Sequence, residues 1–239
     1  MFDLVRVKGG TFLMGSDSGD SAERPAHEVE VGDYFIGRFP VTQKEWQSVF
    51  GNNPSLCRGP AHPVERISWL DAVAFCNALS KANGLKPCYG NDGEDIFCDF
   101  RANGFRLPRE AEWEYAALGG QKNRGFAYSG GNGPEAVGWY LGNALRKTHP
   151  VGKKRANELG LHDMSGNVNE WCWDWYAPYG SKAYEEQLPS LGGEVDTRKR
   201  VIRGGTCQDC SYRLRRTSRL CAHPEGAYEL VGMRLARSA

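Results

Sequence analysis

Helical periodicity stops at residue 119 of this 239-residue chain. Before that point, three segments carry apolar residues at helical spacing. After it, short strand-like pieces alternate with glycine-rich loops. A chain that cannot bury a helix face over its second half must build its core there from short strands and large side chains. The composition supplies those parts, with 30 glycines, 12 prolines and seven tryptophans. The expectation is an irregular, loop-rich α+β fold with few short helices and strands, in a single domain over 1–239, and not a helical bundle.

The first helix opens with a capping box: Thr42 as N-cap, Glu45 three residues on, and Gly51 just past the end. Trp46, Val49 and Phe50 form its apolar face. The second starts at Ser68 with Asp71 at N3 and runs to Gly84, turning Ala72, Val73, Cys76 and Leu79 inward. The third places Pro108 at N1 and carries Trp113, Ala116 and Ala117. Residues 5–14 and 27–36 read as strands, and 125–128, 201–203 and 231–235 as shorter ones. Residues 88–98 read as a hairpin inserted between the second and third helices. Its two cysteines could face each other or stay as free thiols.

Thirty basic and 29 acidic residues leave a net charge of +1, which argues for neither nucleic acid nor a membrane surface as partner. No apolar stretch approaches the roughly 18 residues of a spanning helix, so direct membrane insertion by the chain is not expected. Residues 1–5 show neither a basic nor an apolar leader region. Localisation is therefore open between the cytoplasm and a surface protein whose leader has been removed. Eight cysteines include only one Cys-x-x-Cys, Cys207 to Cys210, so no zinc ribbon or disulfide framework is required. His62, His149 and His162 lack metal-ligand spacing and read as structural. Residues 198–219 hold eight Lys/Arg against the single acid Asp209, a patch that could take phosphates.

Several strings in order resemble one family: 9–16 (GGTFLMGS), 39–42 (FPVT), 62–64 (HPV), 68–72 (SWLDA), 103–117 (NGFRLPREAEWEYAA), 160–171 (GLHDMSGNVNEW), 203–205 (RGG) and 232–236 (GMRLA). Together they resemble the formylglycine-generating-enzyme-like, or sulfatase-modifying-factor, domain, a decorated C-type-lectin fold. The resemblance makes most of these residues scaffold: Arg106, Glu110, Glu112 and Glu114 around Trp113 read as a charge-satisfied helix entry. It also makes several arginines of 198–219 framework residues paired with buried carboxylates, so nucleic acid is not an expected partner.

The enzymes of this family oxidise a substrate cysteine using two cysteines after the Arg-Gly-Gly element that bind copper(I), a metal suited to soft thiolates. Here Cys207 and Cys210 are closer together and displaced from Arg203-Gly204-Gly205. Asp209 falls where the first active cysteine would stand. The motif is not preserved in spacing, so no enzyme activity and no copper are expected; a copper-dependent oxidase using Cys207 and Cys210 is the alternative.

A second branch of the fold, the variable proteins of diversity-generating retroelements, resembles the C-terminus more closely. Such proteins end in a region whose residues are changed on a fixed scaffold, here about 203–236. Mutation at adenines of template Asn codons yields Cys, Asp, Ser, Tyr, Arg, Leu, Ala and His but never Trp, Met, Lys, Glu or Gln. Cys207, Asp209, Cys210, Ser211, Tyr212, Leu220, Cys221, Ala222, His223, Tyr228 and Leu230 fit that alphabet, whereas Gln208, Glu225 and Glu229 would be fixed. The resemblance implies a non-enzymatic display protein that binds a protein or other surface ligand, at a bacterial cell surface with a lipid anchor on the removed leader.

The family's enzymes also hold a structural calcium. Carried over, its ligands are Asp163 and Glu170 through side chains and Gly166 and Val168 through carbonyls, oxygen donors of the kind calcium takes. A salt-bridged Glu170 closing a capped turn is the competing reading. A second family calcium site is lost, because the segment after Asn143 and Ala144 lacks an acidic ligand.

Overall fold

The computed structural model describes residues 2–93, 95–185 and 198–239. Met1, where the N-terminal reading begins, and Glu94, within the 88–98 segment read as a hairpin, lie outside the described residues.

The two expected N-terminal strands are four: β1 (Leu4–Val7), β2 (Gly10–Met14), β3 (His27–Val31) and β4 (Tyr34–Gly37). The break at Gly9 has a steric cause. A Cβ there would lie 2.3 Å from the Val31 carbonyl oxygen, and the Gly9 amide donates to Asp33 Oδ1 at 2.9 Å. The chain therefore changes partners, so that β1 pairs with β4 and β2 with β3.

Helix α1 (Gln43–Phe50) and helix α2 (Trp69–Ala82) start at the anticipated caps. Thr42 Oγ1 accepts from the Glu45 amide while Glu45 Oε2 accepts from the Thr42 amide, and Gly51 closes α1 at φ 74°. Ser68 and Asp71 repeat the arrangement in α2. The 88–98 segment is a hairpin of β5 (Tyr89–Asp92) and β6 (Asp95–Cys98), with Tyr89 opposite Cys98. Cys88 is thus one residue out of register, and both thiols are free.

After β7 (Phe105–Arg106), α3 spans Glu110–Ala117 with Arg109 as N-cap. Pro108 accordingly precedes the helix and is not its first residue. Its carbonyl accepts from the Trp173 amide at 2.9 Å, which holds it extended. Glu112 supplies the missing cap, accepting from the Arg109 amide at 2.8 Å. The expected strand at 125–128 reduces to one bridge, Tyr128 to Gly131, because the turn between those residues leaves no room for a ladder.

The remaining strands are β8 (Asn169–Trp175), β9 (Arg200–Arg203), β10 (Arg219–Ala222), β11 (Val231–Met233) and β12 (Ala236–Ser238). They complete two four-stranded sheets, β1-β4-β12-β7 and β10-β9-β8-β11. Side chains alternate across the second sheet. Trp171 and Ile202 join a core cluster with Trp46, Trp69, Phe75 and Met233, while Cys172 and Val201 join another with Tyr34, Ile36, Trp113 and Met164. A sheet buried on both faces is a stiff base for the loops that leave it.

Candidate functional site

The loops after β9 hang from a frame of buried ion pairs. Arg203 spans Glu110, at 3.2 Å, and Glu114, while Arg219 meets both oxygens of Glu110 at 2.7 and 2.6 Å. Burial alone would raise the Glu110 pKa, but Arg219 and Arg203 outweigh it and hold the carboxyl below its usual range. For Glu114, burial outweighs Arg203 and the shift is upward. Arg106 pairs with Glu112 at 2.6 Å, so the four charged residues around Trp113 are satisfied as the sequence indicates. These contacts bolt α3 to β9 and β10.

Between the bolts the chain turns sharply. Gly204 and Gly205 adopt φ of 106° and 73°, and a Cβ on Gly205 would lie 2.8 Å from the Arg213 carbonyl oxygen. Asp209 Oδ2 accepts from the Thr206 amide and hydroxyl at 2.8 and 2.7 Å, closing the turn that carries Cys207 and Cys210. A short 3-10 turn at Ser211–Leu214 follows.

The candidate changeable residues do not share one environment. Cys210, Tyr212 and Tyr228 are exposed; Asp209, Ser211, Leu220, Cys221, His223 and Leu230 are half-buried. Cys207 and Ala222 are not displayed, at 0% and 9% exposure. The Cys207 amide donates to the Asn167 carbonyl at 3.0 Å, which holds that residue against the scaffold. Ala222 lies opposite Arg200 in the β10–β9 ladder, on the side of the first core cluster. Burial pushes the Cys207 thiol up to about 12, which disfavours the thiolate that copper(I) or redox chemistry would use. Tyr212 is tied down as well, its hydroxyl donating to Asp20 at 2.9 Å. Arg213 and Arg215 pair with Asp20 and Glu23 at 2.9 and 2.6 Å. The 16–24 loop thus straps the region, a contact across some 190 residues of sequence that no local pattern announces.

Two clefts border these loops. Leu230 and Gln208 share one of about 380 Å³ with Leu56, Cys57, Glu65 and Arg146. Glu65 is buried there, Oε1 accepting from the Leu56 and Cys57 amides and Oε2 having no partner among the described residues. His223 lines the other, of about 450 Å³, with Trp69, Trp175 and Arg200. His223 and Leu230 are candidates from the sequence, but Leu56, Cys57, Glu65 and Arg146 of the first cleft and Trp69 and Trp175 of the second are not read there as lining residues. Arg200 is read from the sequence as one cation in a run with a single acid, without its cleft.

At the expected calcium loop, Asp163 sits at φ 57° and Gly166 at φ 91°. Asp163 Oδ2 accepts from the Gly152 amide at 2.7 Å, and its buried Oδ1 has no partner among the described residues. Burial raises its pKa. Glu170 is engaged: Oε1 takes Arg234 at 2.7 Å, and Oε2 takes Arg234 at 2.9 Å and the Trp113 indole at 2.7 Å. The orphaned Oδ1 of Asp163 is the feature that suits a cation in this loop. Glu170 already spends its charge on Arg234. His62, His149 and His162 hold structural contacts, to the Thr148 hydroxyl, the Ala144 carbonyl and the Lys154 carbonyl.

Comparison with known proteins gives this geometry its context. The chain is 44% identical over 227 residues to the chaperone protein LppX of Paenibacillus barcinonensis, covering 82% of this chain and 79% of that one. It is 29% identical to the formylglycine-generating enzyme of Bos taurus, spanning half of that enzyme's length. The solved Treponema denticola variable protein 1 superposes with a TM-score of 0.88 at 33% identity, covering all of this chain and 95% of that one. That structure carries the C-type-lectin fold of the formylglycine-generating-enzyme type over to the present chain. The match to the family described as the sulfatase-modifying factor enzyme 1-like domain runs over residues 1–239, and the chain belongs to that family.

Proposed function

We propose that the chain is a non-enzymatic binding protein that presents changeable side chains on a fixed lectin-fold scaffold, diversified by a retroelement, at a bacterial cell surface. The observation that carries this reading is the division of 203–236 into two populations. Arg203, Arg219 and Arg234 are buried and paired with carboxylates, whereas nine of the eleven candidate positions reach solvent. Loops on a rigid base can change identity without disturbing the core. Tyr212 and Tyr228 offer rigid, amphipathic contact surface of the kind paratopes use. The likeness to a variable protein supports diversification, and the chaperone name of the relative supports a polypeptide as ligand. The burial of Cys207 supports the non-enzymatic side, and with it the expectation that copper is not a cofactor.

The test is DNA sequencing of the locus across many clones. A template copy differing only at adenines, with differences at the exposed positions, is the expected result. Invariant codons and no template would overturn diversification. Copper(I) binding lost in a Cys207→Ala/Cys210→Ala variant would favour the oxidase.

Calcium at Asp163, with Gly166, Val168 and Glu170, belongs to the scaffold in this reading. It would neutralise the buried Asp163 charge and hold the loop that leads into β8.

A further inference from the structure

Five arginines are buried among the described residues: Arg106, Arg200, Arg203, Arg219 and Arg234. Four have carboxylate partners: Glu112 for Arg106, Glu110 and Glu114 for Arg203, Glu110 for Arg219 and Glu170 for Arg234. Arg200 has none within ion-pair distance among the described residues, although it is only 3% exposed. Its guanidinium lies against three indoles, 3.9 Å from the ring centre of Trp69, 4.9 Å from that of Trp173 and 3.5 Å from that of Trp175. Nη1 donates to the Trp173 carbonyl at 2.6 Å, and the buried Nε has no partner among the described residues. Burial pushes the group down to about 9, against the distant pull of Asp174 and Asp95. A buried cation left this way is costly, and the protein compensates it at each of the other four sites.

Arg200 is a wall of the 450 Å³ cleft that also holds Trp69, Leu70, Ile96, Trp175 and His223. We infer that this cleft binds a small monocarboxylate on an apolar body, the carboxylate seated on the spare N–H donors of Arg200 and the body lying against Leu70, Ile96 and Trp175. The planar guanidinium fork matches a carboxylate in both spacing and charge. Asp95, Glu225 and Arg198 also line the cleft, so two acids stand against two arginines, and a singly charged ligand brings less uncompensated charge into that balanced lining than a phosphate monoester. The volume suits a compact organic acid or the last residue of a peptide. His223 is a candidate changeable position in the same wall, so the anchor would be fixed and the body's fit adjustable. The site itself rests on Trp69, Trp175 and Arg200, which are scaffold residues, and does not depend on diversification.

Titration calorimetry of the whole chain tests the site with three probes: 3-phenylpropionate, N-acetylphenylalanine and N-acetylphenylalaninamide. Both sources of the chemistry share the acid, and the amide removes it. At least one acid should bind one-to-one, about tenfold or more tighter than the amide, as loss of a charge-assisted pair implies. Binding of 3-phenylpropionate alone would mark a free acid as the source, and binding of both acids a peptide terminus. Arg200→Lys keeps the charge but loses the fork and should weaken binding similarly. Because that variant strains a buried position, Leu70→Glu serves as the second. Leu70 is 40% exposed, so this change should leave the melting temperature in place while setting a negative charge at the cleft. Failure of both acids to bind, equal affinity for acid and amide, or undiminished binding in Leu70→Glu would each overturn the inference. Invariant codons at the locus would leave it standing.

Discussion

Trp113 and Trp171 are the residues on which the interior depends most directly. Both are fully buried, and each indole donates as well as fills space, to Glu170 Oε2 at 2.7 Å and to the Ile67 carbonyl at 3.0 Å. Replacing either by Ala should cost about 3–5 kcal/mol in urea unfolding. Tyr228 is 37% exposed, with its ring 6.3 Å from Trp171. Tyr228→Ala should cost less than about 1 kcal/mol, and a loss matching the tryptophans would remove the basis for calling it a display residue. Asp174 gives a pH signature. Burial, followed by the nearby Glu110, raises its pKa from 3.8 to about 6. The folded state therefore binds a proton more tightly than the unfolded state does. This contribution to stability is full below pH 3.8 and lost as the pH rises through about 6. Asp174→Asn keeps an acceptor for the Glu110 amide, which the native carboxylate bonds. It should flatten the fall in melting temperature across that window, and an unchanged profile would refute the assignment.

Elements here are joined by charge as much as by apolar contact. Arg219 of β10 meets Glu110 of α3 with both partners buried, whereas Arg213 and Asp20 are each more than a third exposed. Arg219→Met should cost about 3–5 kcal/mol because it strips a buried carboxylate of one of its two cations. Arg213→Met should cost no more than about 1 kcal/mol. Equal losses in denaturant titrations would show that the bolt between helix and sheet is not electrostatic. The 163–170 loop offers a second test at this scale. Excess calcium should raise the melting temperature, as any ligand specific to the folded state does, and Asp163→Ala should remove the calcium-dependent increment. An increment that survives would place the ion elsewhere. The helices show how far local rules reach. Caps at Thr42 and Ser68 were readable because a capping box is complete within four residues. Pro108 misled because its carbonyl is held by Trp173, 65 positions away.

Over the whole molecule, the last strand closes the first sheet. β12 lies between β4 and β7, so the segment after the changeable loops is built into the scaffold sheet, while those loops lie between the buried Arg203 and Arg234. Replacing Cys210, Ser211, Tyr212, His223 and Tyr228 together should therefore leave the melting temperature within about 4 °C of the parent, at a cost near 1 kcal/mol. A Cys207→Tyr change, which overpacks a buried site, should lower it by more. Collapse of the multiple variant would show that the loops are structural. The sequence by itself determined the starts of α1 and α2, the supply of aromatic plugs and the ordered motifs that mark the family, because each is local or survives as a string. The tertiary structure alone decided which acid each arginine meets, that Cys207 and Ala222 point inward, and that Arg200 is left to face a cleft. Those outcomes depend on sheet register and on contacts between residues up to about 190 positions apart. A one-residue shift along a strand turns a side chain from core to solvent, and no pattern within a few residues encodes it.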